Sequence, residues 1–351
     1  MSHSVVLRHW PAPIRVETGE TVLEAALAQG APFPHGCRSG NCGACKSRLY
    51  RGAIEMTPYS DYALTAGERA QGLILACRAM PQSDAELGWL EADDLVSHPL
   101  RDLTCRVAAL GDLTHDIKLV RLRIAEGGPF TFSAGQYAAL GFDALAPRDY
   151  SMANVPDRDG GGEIEFHIRH VAGGVSSAYV AKGLKRGDTV RVKGPYGSSY
   201  LREQHAGPIL AVAGGSGLAP IKSIVETALS LGMRQPIRLY FGVRDERDLY
   251  LEAHFQALAA QHANLKFIPV LSAAAAGTKR RAGFVHQTVA EDIAGALAEL
   301  DGAKAYLAGP PVMVEAATAM LEQRGLRRED IHADAFYTEA ERAQQAAGGA
   351  R

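Results

Sequence analysis

The sequence is short of three things: cysteine, an excess of charge of either sign, and long apolar runs. Five cysteines in 351 residues are too few for a disulfide framework, and their number is odd. The 37 Lys and Arg residues nearly balance the 39 Asp and Glu residues, and a net charge of −2 argues against nucleic-acid binding. No apolar run approaches the roughly 18 residues of a membrane span. The opening MSHSVVLRHW also lacks an apolar secretory core, so we expect a soluble protein of a reducing cytoplasm, without a membrane partner.

The length of 351 residues predicts two or three domains, each able to bury its own core. The pattern changes twice along the chain, without an internal repeat, and we place domains at residues 1–93, 100–205 and 207–338. The charged stretch LEADDLVSHPLRD indicates a linker between the first two. The low-complexity end AERAQQAAGGAR is expected to be frayed.

The few cysteines lie close together. The stretch HGCRSGNCGAC contains Cys37, Cys42 and Cys45, and Cys77 follows in LACRAM. A gap of four residues and then of two is the spacing of plant-type [2Fe–2S] ligation. A structural zinc site on four thiolates is the rival interpretation, but zinc sites usually pair two short spacings. The intervening RSGN and GA are small or flexible enough to aim backbone N–H groups at sulfide, which favours the cluster.

The residues around these cysteines predict a small α+β domain. SVVLRHW and PIRVE predict two strands close enough for a hairpin. ETVLEAALAQG predicts a short helix, with Thr21 as its N-cap and Gly30 just beyond its end. This order, with the cysteine loop after the helix, resembles the β-grasp fold of plant-type ferredoxins.

The second block is rich in strands. IKLVRLRI and GQYAAL are mostly apolar runs. EIEFHIRH alternates, so that Ile164, Phe166 and Ile168 should share one face and the charged residues the other. DTVRVKGP alternates too, and turn signals such as DRDGGGE separate the runs. Many short strands with little helix predict a small antiparallel β-barrel.

The third block alternates strands with helices. The apolar strand PILAVAGG leads into the helical pattern LAPIKSIVETALSLG, and IRLYFGV, KFIPVL, KAYLAG and IHADAF predict later strands. Such alternation predicts a doubly wound parallel α/β sheet.

Three short motifs in these blocks are candidates for ligand binding. RDYS, residues 148–151, offers a cation, a flat aromatic and a hydroxyl near a strand end. GGVSSAYV places glycines and hydroxyls at a helix start, where free N–H groups and the helix dipole can hold phosphate. Each motif alone is weak, since RDYS is short and GGVSS could be a simple N-cap. GGSGLAP follows a strand and opens a helix, where the close approach of a nucleotide pyrophosphate needs glycine.

From RDYS through GGSGLAP to HADAF, the second and third blocks resemble the ferredoxin–NADP reductase family. With the ferredoxin-like block in front, the whole chain resembles the reductase components of ring-hydroxylating dioxygenases. The resemblance implies an enzyme that passes electrons from NAD(P)H through FAD, rather than FMN, and [2Fe–2S] to a Rieske-type oxygenase or a Rieske ferredoxin. A reductase of a diiron monooxygenase is the alternative, and a non-catalytic redox sensor is a further one. We expect a monomer.

The resemblance also assigns residues to the flavin. It implies that Arg148 meets a flavin phosphate, that Tyr150 stacks on the isoalloxazine and that Ser151 hydrogen-bonds near its N5. Phe336 matches an aromatic that covers the flavin face, so that Ser151, Tyr150 and Phe336 would lie at the reacting atoms. Further flavin positions are matched by Gly174, Val175, Ser176 and Ser177 in the pyrophosphate segment and by His167, Ile168 and Arg169 in a lining strand.

On the nicotinamide side, the family motif usually has a cysteine before Gly-Pro, and here that position is Ala308. The positions that would hold the dinucleotide are Gly214, Gly215, Ser216 and Gly217 at the pyrophosphate, Gly242 and Arg244 at the adenosine, and Gly309 and Pro310 at the nicotinamide.

The choice between NADH and NADPH depends on the residues that meet the adenosine ribose. A carboxylate often holds a bare ribose, whereas a 2′-phosphate requires cations. After the strand KFIPVL comes SAAAAGTKRRAG, which has Ser272 but no acid, and in which Lys279, Arg280 and Arg281 follow. We therefore expect NADH to work, with appreciable use of NADPH.

Cys105 lies outside the cysteine pattern and is expected to be a small apolar core residue. Cys105→Ser should therefore leave one [2Fe–2S] cluster, with unchanged visible bands, on Cys37, Cys42, Cys45 and Cys77. Iron and sulfide analysis of the variant and the wild type tests this ligand set. Zinc without sulfide, or bands lost in the variant, would contradict it.

Overall fold

The computed structural model of the protein describes residues 2–41, 43–60, 63–90, 96, 98–294, 301–338 and 340–341. The chain forms two units. The first contains Met1–Leu100, Tyr196–Ser198 and Tyr337–Arg351, and the second contains Arg101–Pro195 and Ser199–Phe336.

The first unit contains two short helices and seven strands among its described residues. In chain order the elements are β1 (Ser2–Leu7), β2 (Ile14–Glu17), α1 (Val22–Ala28), β3 (Lys46–Arg51), β4 (Ile54–Met56), α2 (Ala66–Ala70), β5 (Leu73–Leu75), β6 (Ala79–Pro81) and β7 (Ala85–Trp89). The main sheet has the order β2-β1-β7-β3-β5, in which β1 and β7 are parallel and the other pairs antiparallel. This sheet, with α1 packed on its core, is the β-grasp arrangement that the sequence predicts.

Local sequence explains how α1 begins and ends. The side-chain oxygen of Thr21 accepts a hydrogen bond from the Glu24 N–H, and the Glu24 carboxylate accepts one from the Thr21 N–H, which makes a capping box. Gly30, just past the helix, has a φ of +84°, which glycine adopts without strain. Both predictions for this helix are confirmed. The chain therefore continues from the end of α1 into the cysteine loop.

The second unit begins with a six-stranded, nearly closed antiparallel barrel. Its elements are β8 (Arg101–Asp112), β9 (Ile117–Glu126), β10 (Tyr137–Phe142), β11 (Arg148–Ser151), β12 (Glu163–Arg169), α3 (Val175–Lys182) and β13 (Thr189–Tyr196). The strand order is β11-β10-β13-β8-β9-β12, and a bridge between Met152 and Phe166 joins the two edges. The barrel prediction is confirmed. β8 starts inside the stretch that the sequence indicates as a linker, of which residues 91–95 and 97 lie outside the described residues.

The alternation in β12 divides its residues between two faces as predicted. Ile164, Phe166 and Ile168 share the face in the barrel core, and the opposite face is also buried at its centre. Glu165 and His167 are only 6% and 4% exposed. They are covered by side chains that the sequence pattern does not connect to this strand, among them Lys222 and Tyr250.

The rest of the second unit is a six-stranded parallel sheet flanked by helices. Its elements are β14 (Ile209–Gly214), α4 (Leu218–Ser230), β15 (Ile237–Val243), α5 (Glu252–Gln261), β16 (Leu265–Leu271), β17 (Arg281–Ala282), α6 (Val285–Ala294), β18 (Lys304–Gly309), α7 (Pro311–Gln323) and β19 (Ile331–Ala335). The strand order is β17-β16-β15-β14-β18-β19. One apolar cluster packs α4 and α5 on one face, and another packs α6 and α7 on the other.

The strand order of this sheet determines where a ligand can enter. From β14 the chain proceeds through β15 and β16 in one direction, and β18 and β19 lie on the other side. The order therefore reverses between β14 and β18, and in such sheets ligands bind beyond the carboxyl ends of the strands at this point. The predicted doubly wound fold is confirmed, and GGSGLAP and AGPP follow the two strands concerned.

No helix among the described residues is long and apolar enough to cross a membrane. The predicted frayed end, residues 340–351, lies outside the described residues except for Ala340 and Glu341.

Candidate functional site

The cysteine loop lies between α1 and β3. Arg38, Gly40 and Gly43 have φ values of 53°, 77° and 75°, so the loop turns repeatedly through the left-handed region. These turns direct the backbone N–H groups of Ser39 and Asn41 at the Sγ of Cys37, at 3.4 and 3.2 Å. N–H donors to sulfur stabilise a thiolate, as a cluster ligand requires.

The other described thiols of the pattern lie at the end of this loop and beside it. Cys45 and Cys77 are buried, Cys37 is half-buried, and no disulfide joins them. The Ala76 N–H donates to the carbonyl of Cys45 at 3.1 Å, which brings Cys77 close to the residue that precedes β3. Cys42 lies outside the described residues. Thiols around a loop that directs N–H groups at sulfur fit a [2Fe–2S] cluster.

Cys105 has a different environment. It lies in the barrel core with no exposed surface, and burial raises the pKa of its thiol to about 12. The thiol is therefore protonated at neutral pH and behaves as an apolar side chain, as the sequence predicts.

A short segment far along the chain supports the cysteine loop within the first unit. His35 accepts a hydrogen bond at Nε2 from the Gly197 N–H, at 2.9 Å, and its Nδ1 lies 2.7 Å from the carbonyl of Phe33. The Arg38 guanidinium lies 3.9 Å from the centre of the Tyr196 ring. These contacts fix the loop entrance, and no local sequence signal indicates them.

The two flavin motifs meet at one end of the barrel. Arg148 donates to the carbonyl of Pro147 at 2.9 Å, and Ser176, in the first turn of α3, reaches the carbonyl of Ala146 at 3.4 Å. RDYS and GGVSS are thus adjacent, as expected for two parts of one site. The N-cap of α3 is Gly174, which has no side chain to satisfy the first-turn N–H groups, so they are available to a phosphate.

The remaining residues of RDYS are held rigidly. β11 pairs with β10, which places Ser151 opposite Tyr137. The Tyr150 ring packs edge-on against Phe142, with centroids 6.4 Å apart, and burial raises the pKa of its hydroxyl to about 12. Tyr150 is therefore uncharged at neutral pH and presents an apolar ring with a protonated hydroxyl.

The structure adds a carboxylate that the sequence interpretation missed. The Ser151 hydroxyl donates to Oδ2 of Asp334 at 3.4 Å, and Asp334 lies on β19, two residues before Phe336. The Phe336 N–H donates to the carbonyl of Gly309 at 2.9 Å. Ser151, Phe336 and the end of β18 are thereby brought together, as predicted. The HADAF stretch contained the signal, since Asp334 and Phe336 point to the same side of an extended segment.

The two glycine turns at the reversal point are in very close contact. A Cβ on Gly217 would lie 2.1 Å from the carbonyl oxygen of Ala308, and one on Gly309 would lie 2.8 Å from that of Gly214. Only glycine permits this approach. The N–H groups of the turn that precedes α4 are then accessible to a pyrophosphate. Ala308 is 2% exposed, so the position of the family's cysteine is filled by a small buried methyl group.

Arg169 lies at this turn, although the sequence assigned it to the flavin strand. Its Nη1 is 3.0 Å from the position that a Cβ on Gly215 would take. Asp116 accepts from Arg169 Nε at 2.8 Å and lies 3.8 Å from Arg244, which also pairs with Asp248 at 2.8 Å. Burial raises the pKa of Asp116, but hydrogen bonds from Thr114 and Arg169 outweigh it and lower the pKa. Asp116 therefore remains ionised and holds both arginines.

The cations expected near the adenosine are already paired with acids. Arg280 pairs with Glu246 at 2.8 Å and makes two contacts with Glu252. Arg281 contacts Glu291 and Asp292, each at 2.9 Å. Glu246 and Glu252 precede the cations by about thirty residues, which is why inspection of SAAAAGTKRRAG alone finds no acid. Among the three basic residues, Arg280 and Arg281 therefore offer less net charge to a 2′-phosphate than the sequence indicates.

Three protein-family models match consecutive parts of the chain. They are the 2Fe-2S iron-sulfur cluster binding domain at residues 11–82, the oxidoreductase FAD-binding domain at 104–200 and the oxidoreductase NAD-binding domain at 211–319. The cofactor predictions are confirmed: the chain has domains for [2Fe–2S], FAD and NAD.

Curated relatives and solved structures match nearly the whole chain. The reductase component of the naphthalene 1,2-dioxygenase/salicylate 5-hydroxylase systems of Ralstonia sp is 42% identical over 92% of this chain and 95% of its own length. The reductase component of phenol 2-monooxygenase from Pseudomonas sp. (strain CF600) is 37% identical over 100% of this chain and 99% of its own. The crystal structure of a cytochrome P450 reductase from Amycolatopsis has a TM-score of 0.80 and 37% identity, covering 95% of this chain and 98% of that one.

Glu246→Gln should raise kcat/KM for NADPH relative to NADH, by about fivefold, since it removes one of the charges that neutralise Arg280. Steady-state reduction of ferricyanide with each nucleotide measures this ratio. Glu329→Gln, which removes a carboxylate paired with Arg327 instead, is the matched control and should leave the ratio unchanged. An unchanged ratio in Glu246→Gln would show that Arg280 does not meet the 2′ position.

Proposed function

The chain belongs to the family of iron–sulfur flavoprotein reductases that serve oxygenase systems, and from this we propose that it delivers electrons from NAD(P)H to a Rieske-type aromatic-ring oxygenase, directly or through a Rieske ferredoxin. The observation that carries the proposal is the 42% identity, over 92% of the chain, to the reductase component of a naphthalene dioxygenase system. When bound, FAD accepts a hydride from NAD(P)H and releases electrons singly, and [2Fe–2S] carries one electron at a time.

Cys37, Cys42, Cys45 and Cys77 would hold the cluster. The support is the backbone bond from Ala76 to Cys45, which brings Cys77 to the end of the cysteine loop, and the two N–H groups aimed at Cys37. Deprotonated sulfur is required of each ligand, and the loop supplies the donors that stabilise it.

The flavin would be held by RDYS and by the start of α3. Arg148 and the first-turn N–H groups at Gly174–Ser177 lie together and suit its phosphates. Tyr150 supplies a flat uncharged surface for the ring. Ser151 has its proton committed to Asp334, so its oxygen is left as an oriented acceptor.

The nicotinamide dinucleotide would extend along the carboxyl ends of β14, β18 and β15. The glycine turn offers first-turn N–H groups to the pyrophosphate, and Arg169 adds a cation beside Gly215. We therefore assign Arg169 to the dinucleotide rather than to the flavin. Gly309 and Pro310 would lie against the nicotinamide, and Phe336, tied to Gly309, would cover the flavin face until the nicotinamide takes its place.

None of these residues needs to act as a general acid or base. The two cofactors would supply the redox chemistry, and the contribution of the protein would be to orient them and exclude water. The bond of Ser151 to Asp334 on β19, and that of Phe336, just after β19, to Gly309, would hold these residues in place.

The loop around the cluster would be the exit for electrons. On this loop Arg38, Ser39 and Ala44 are half-buried, and Asn41 is only 2% exposed. The Asn41 carbonyl accepts from the Tyr337 hydroxyl at 3.5 Å, and its amide donates to Ser39, so it supports the loop from within. A small patch of this kind suits the weak, transient encounters of electron-transfer partners, and a monomeric reductase.

A monooxygenase is the second candidate partner. The 37% identity to the phenol 2-monooxygenase reductase component extends over 100% of the chain, which favours it independently. The two candidates are separated by supplying each type of oxygenase with this reductase and NADH.

Ser151→Ala should slow the reduction of bound FAD by NADH about tenfold, because an oriented hydrogen-bond partner near the reacting atoms is lost. The affinity for FAD should change less than twofold, since the phosphate contacts remain. Stopped-flow absorbance and FAD titration measure the two quantities. Ser230→Ala, a hydroxyl at the end of α4, is the control. Equal reduction rates in variant and wild type would refute the role of Ser151.

Cys45→Ser should abolish NADH-driven substrate oxidation by a reconstituted aromatic-ring oxygenase and retain ferricyanide reduction through the flavin. The thiol lost belongs to the cluster set, whereas the FAD and NAD domains are untouched. Cys105→Ser, the matched control, should support both reactions. Full oxygenase turnover by a cluster-free variant would mean that electrons leave from the flavin.

A further inference from the structure

A chain of buried polar groups connects the flavin strand to the nucleotide turn. Glu165 and His167, on the face of β12 opposite the barrel core, are both buried. His167 Nε2 lies 3.1 Å from Glu165 Oε1, and His167 Nδ1 lies 3.3 Å from the hydroxyl of Tyr250. The Tyr250 hydroxyl also lies 3.3 Å from the carbonyl oxygen of Gly215. The mechanism proposed above uses none of these three side chains.

The position of Tyr250 is fixed by its ring. It is 4% exposed and packs edge-on against His167 and Phe241, with both pairs of centroids 5.5 Å apart. Burial raises the pKa of its hydroxyl well above the ordinary value, so the hydroxyl keeps its single proton. That proton can be donated to one acceptor at a time.

The proton on His167 decides which acceptor is available. Burial raises the pKa of Glu165, but the hydrogen bond of His167 and the charge of Lys222 outweigh it and lower the pKa to about 2. Because Nε2 faces this carboxylate, the neutral imidazole carries its proton on Nε2, and Nδ1 is then an acceptor. Tyr250 can therefore donate to His167 or to Gly215. An imidazolium donates from both nitrogens, and Tyr250 can then donate only to Gly215.

We propose that Tyr250 is a positioning residue for the nicotinamide dinucleotide: its hydroxyl alternates between His167 and the carbonyl of Gly215, and protonation of His167 commits it to Gly215. The inference rests on the proposed placement of the dinucleotide at the glycine turn. A trans peptide is planar, so holding the Gly215 carbonyl also directs the Ser216 N–H to the opposite side. That N–H is one of the first-turn donors available to the pyrophosphate.

Burial keeps His167 neutral at ordinary pH. Burial lowers the pKa of its imidazole, and the bond to Glu165 offsets only part of that effect. Protonation therefore occurs below the ordinary value of about 6.5. The groups that face His167, Glu165 and Tyr250 from the packed elements are Arg121 on β9, Lys222 and Glu226 on α4, Arg169 on β12 and Asp116 before β9.

The test is the affinity of the oxidised, FAD-loaded protein for NAD+, measured by titration calorimetry at about pH 8 and at the lowest pH, below about 6.5, at which the wild type remains folded, because burial lowers the pKa of His167. In Tyr250→Phe the dissociation constant should exceed that of the wild type by about threefold at the higher pH and about tenfold at the lower. Tyr306→Phe, a buried tyrosine of the same sheet whose hydroxyl accepts from the Arg202 N–H, is the matched control. It should follow the wild type at both pH values.

The comparison separates the proposed hydrogen bond from Tyr250 to Gly215 from a simple effect of the charge on His167. An imidazolium would attract the anionic dinucleotide with or without the tyrosine hydroxyl, so equal ratios at both pH values, or no difference at all, would overturn the proposal. His167→Gln keeps a donor toward Glu165 but cannot be protonated, and it should remove the gain in affinity at the lower pH. If the FAD-loaded wild type binds no NAD+, the placement of the dinucleotide itself fails. If it binds NAD+ and Tyr250→Phe matches it, only this inference fails.

Discussion

The close contact between two backbone turns at the ends of β14 and β18 is the constraint on which the second unit depends. Because Gly217 and Gly309 have no Cβ, the turn after β14 can lie against the carbonyls at the end of β18. That contact leaves the N–H groups of the turn before α4 accessible. It also fixes the carbonyl of Gly309, to which the Phe336 N–H donates. The position of Asp334, which pairs with Ala308 of β18, depends on the same contact, and Phe336 follows two residues later. A methyl group at Gly217 would displace this whole set.

The barrel meets this turn through one strand, β12, with two kinds of residue. Arg169, at its end, contributes a charge beside Gly215, and Asp116 keeps that charge in place. His167, two residues earlier, contributes a proton-dependent hydrogen bond through Tyr250. Burying Glu165 costs free energy unless it is paired, and Arg121 Nε at 2.9 Å and Lys222 at 3.4 Å satisfy it. The polar face of β12 therefore connects the barrel to the parallel sheet within the second unit.

The sequence predicted the helices, strands and turns that local patterns encode. It did not predict contacts between residues that are distant in the chain. The hairpin, the Thr21 cap, the barrel strands and the parallel sheet were all predicted, because periodicity and turn residues are local signals. RDYS, GGVSS and GGSGLAP were singled out as ligand-binding candidates because each follows or precedes a predictable strand or helix. Asp334 was missed because its partner, Ser151, lies 183 positions away.

The other contacts that the sequence did not indicate have the same origin. The burial of the charged face of β12 depends on Lys222 and Tyr250, which an alternating strand does not reveal. Arg280 pairs with Glu246 and Glu252, and Arg281 with Glu291 and Asp292, all of which lie outside the basic motif. Asn41 is buried, and the Tyr337 hydroxyl donates to its carbonyl from the far end of the chain. In each case a charged or polar group finds its partner outside the motif in which the sequence shows it.

The demands on the two units differ, and this difference explains how one architecture can serve several oxygenases. Hydride transfer needs two rings held at a fixed distance and angle, so errors in the second unit are costly, and its site is built from glycine contacts and buried hydrogen bonds. Delivery of single electrons to another protein needs only a brief encounter over a small surface. Relatives named for a dioxygenase, a phenol monooxygenase and a cytochrome P450 all match more than nine-tenths of this chain. Recognition of the partner oxygenase therefore has to lie in few residues of an otherwise shared architecture.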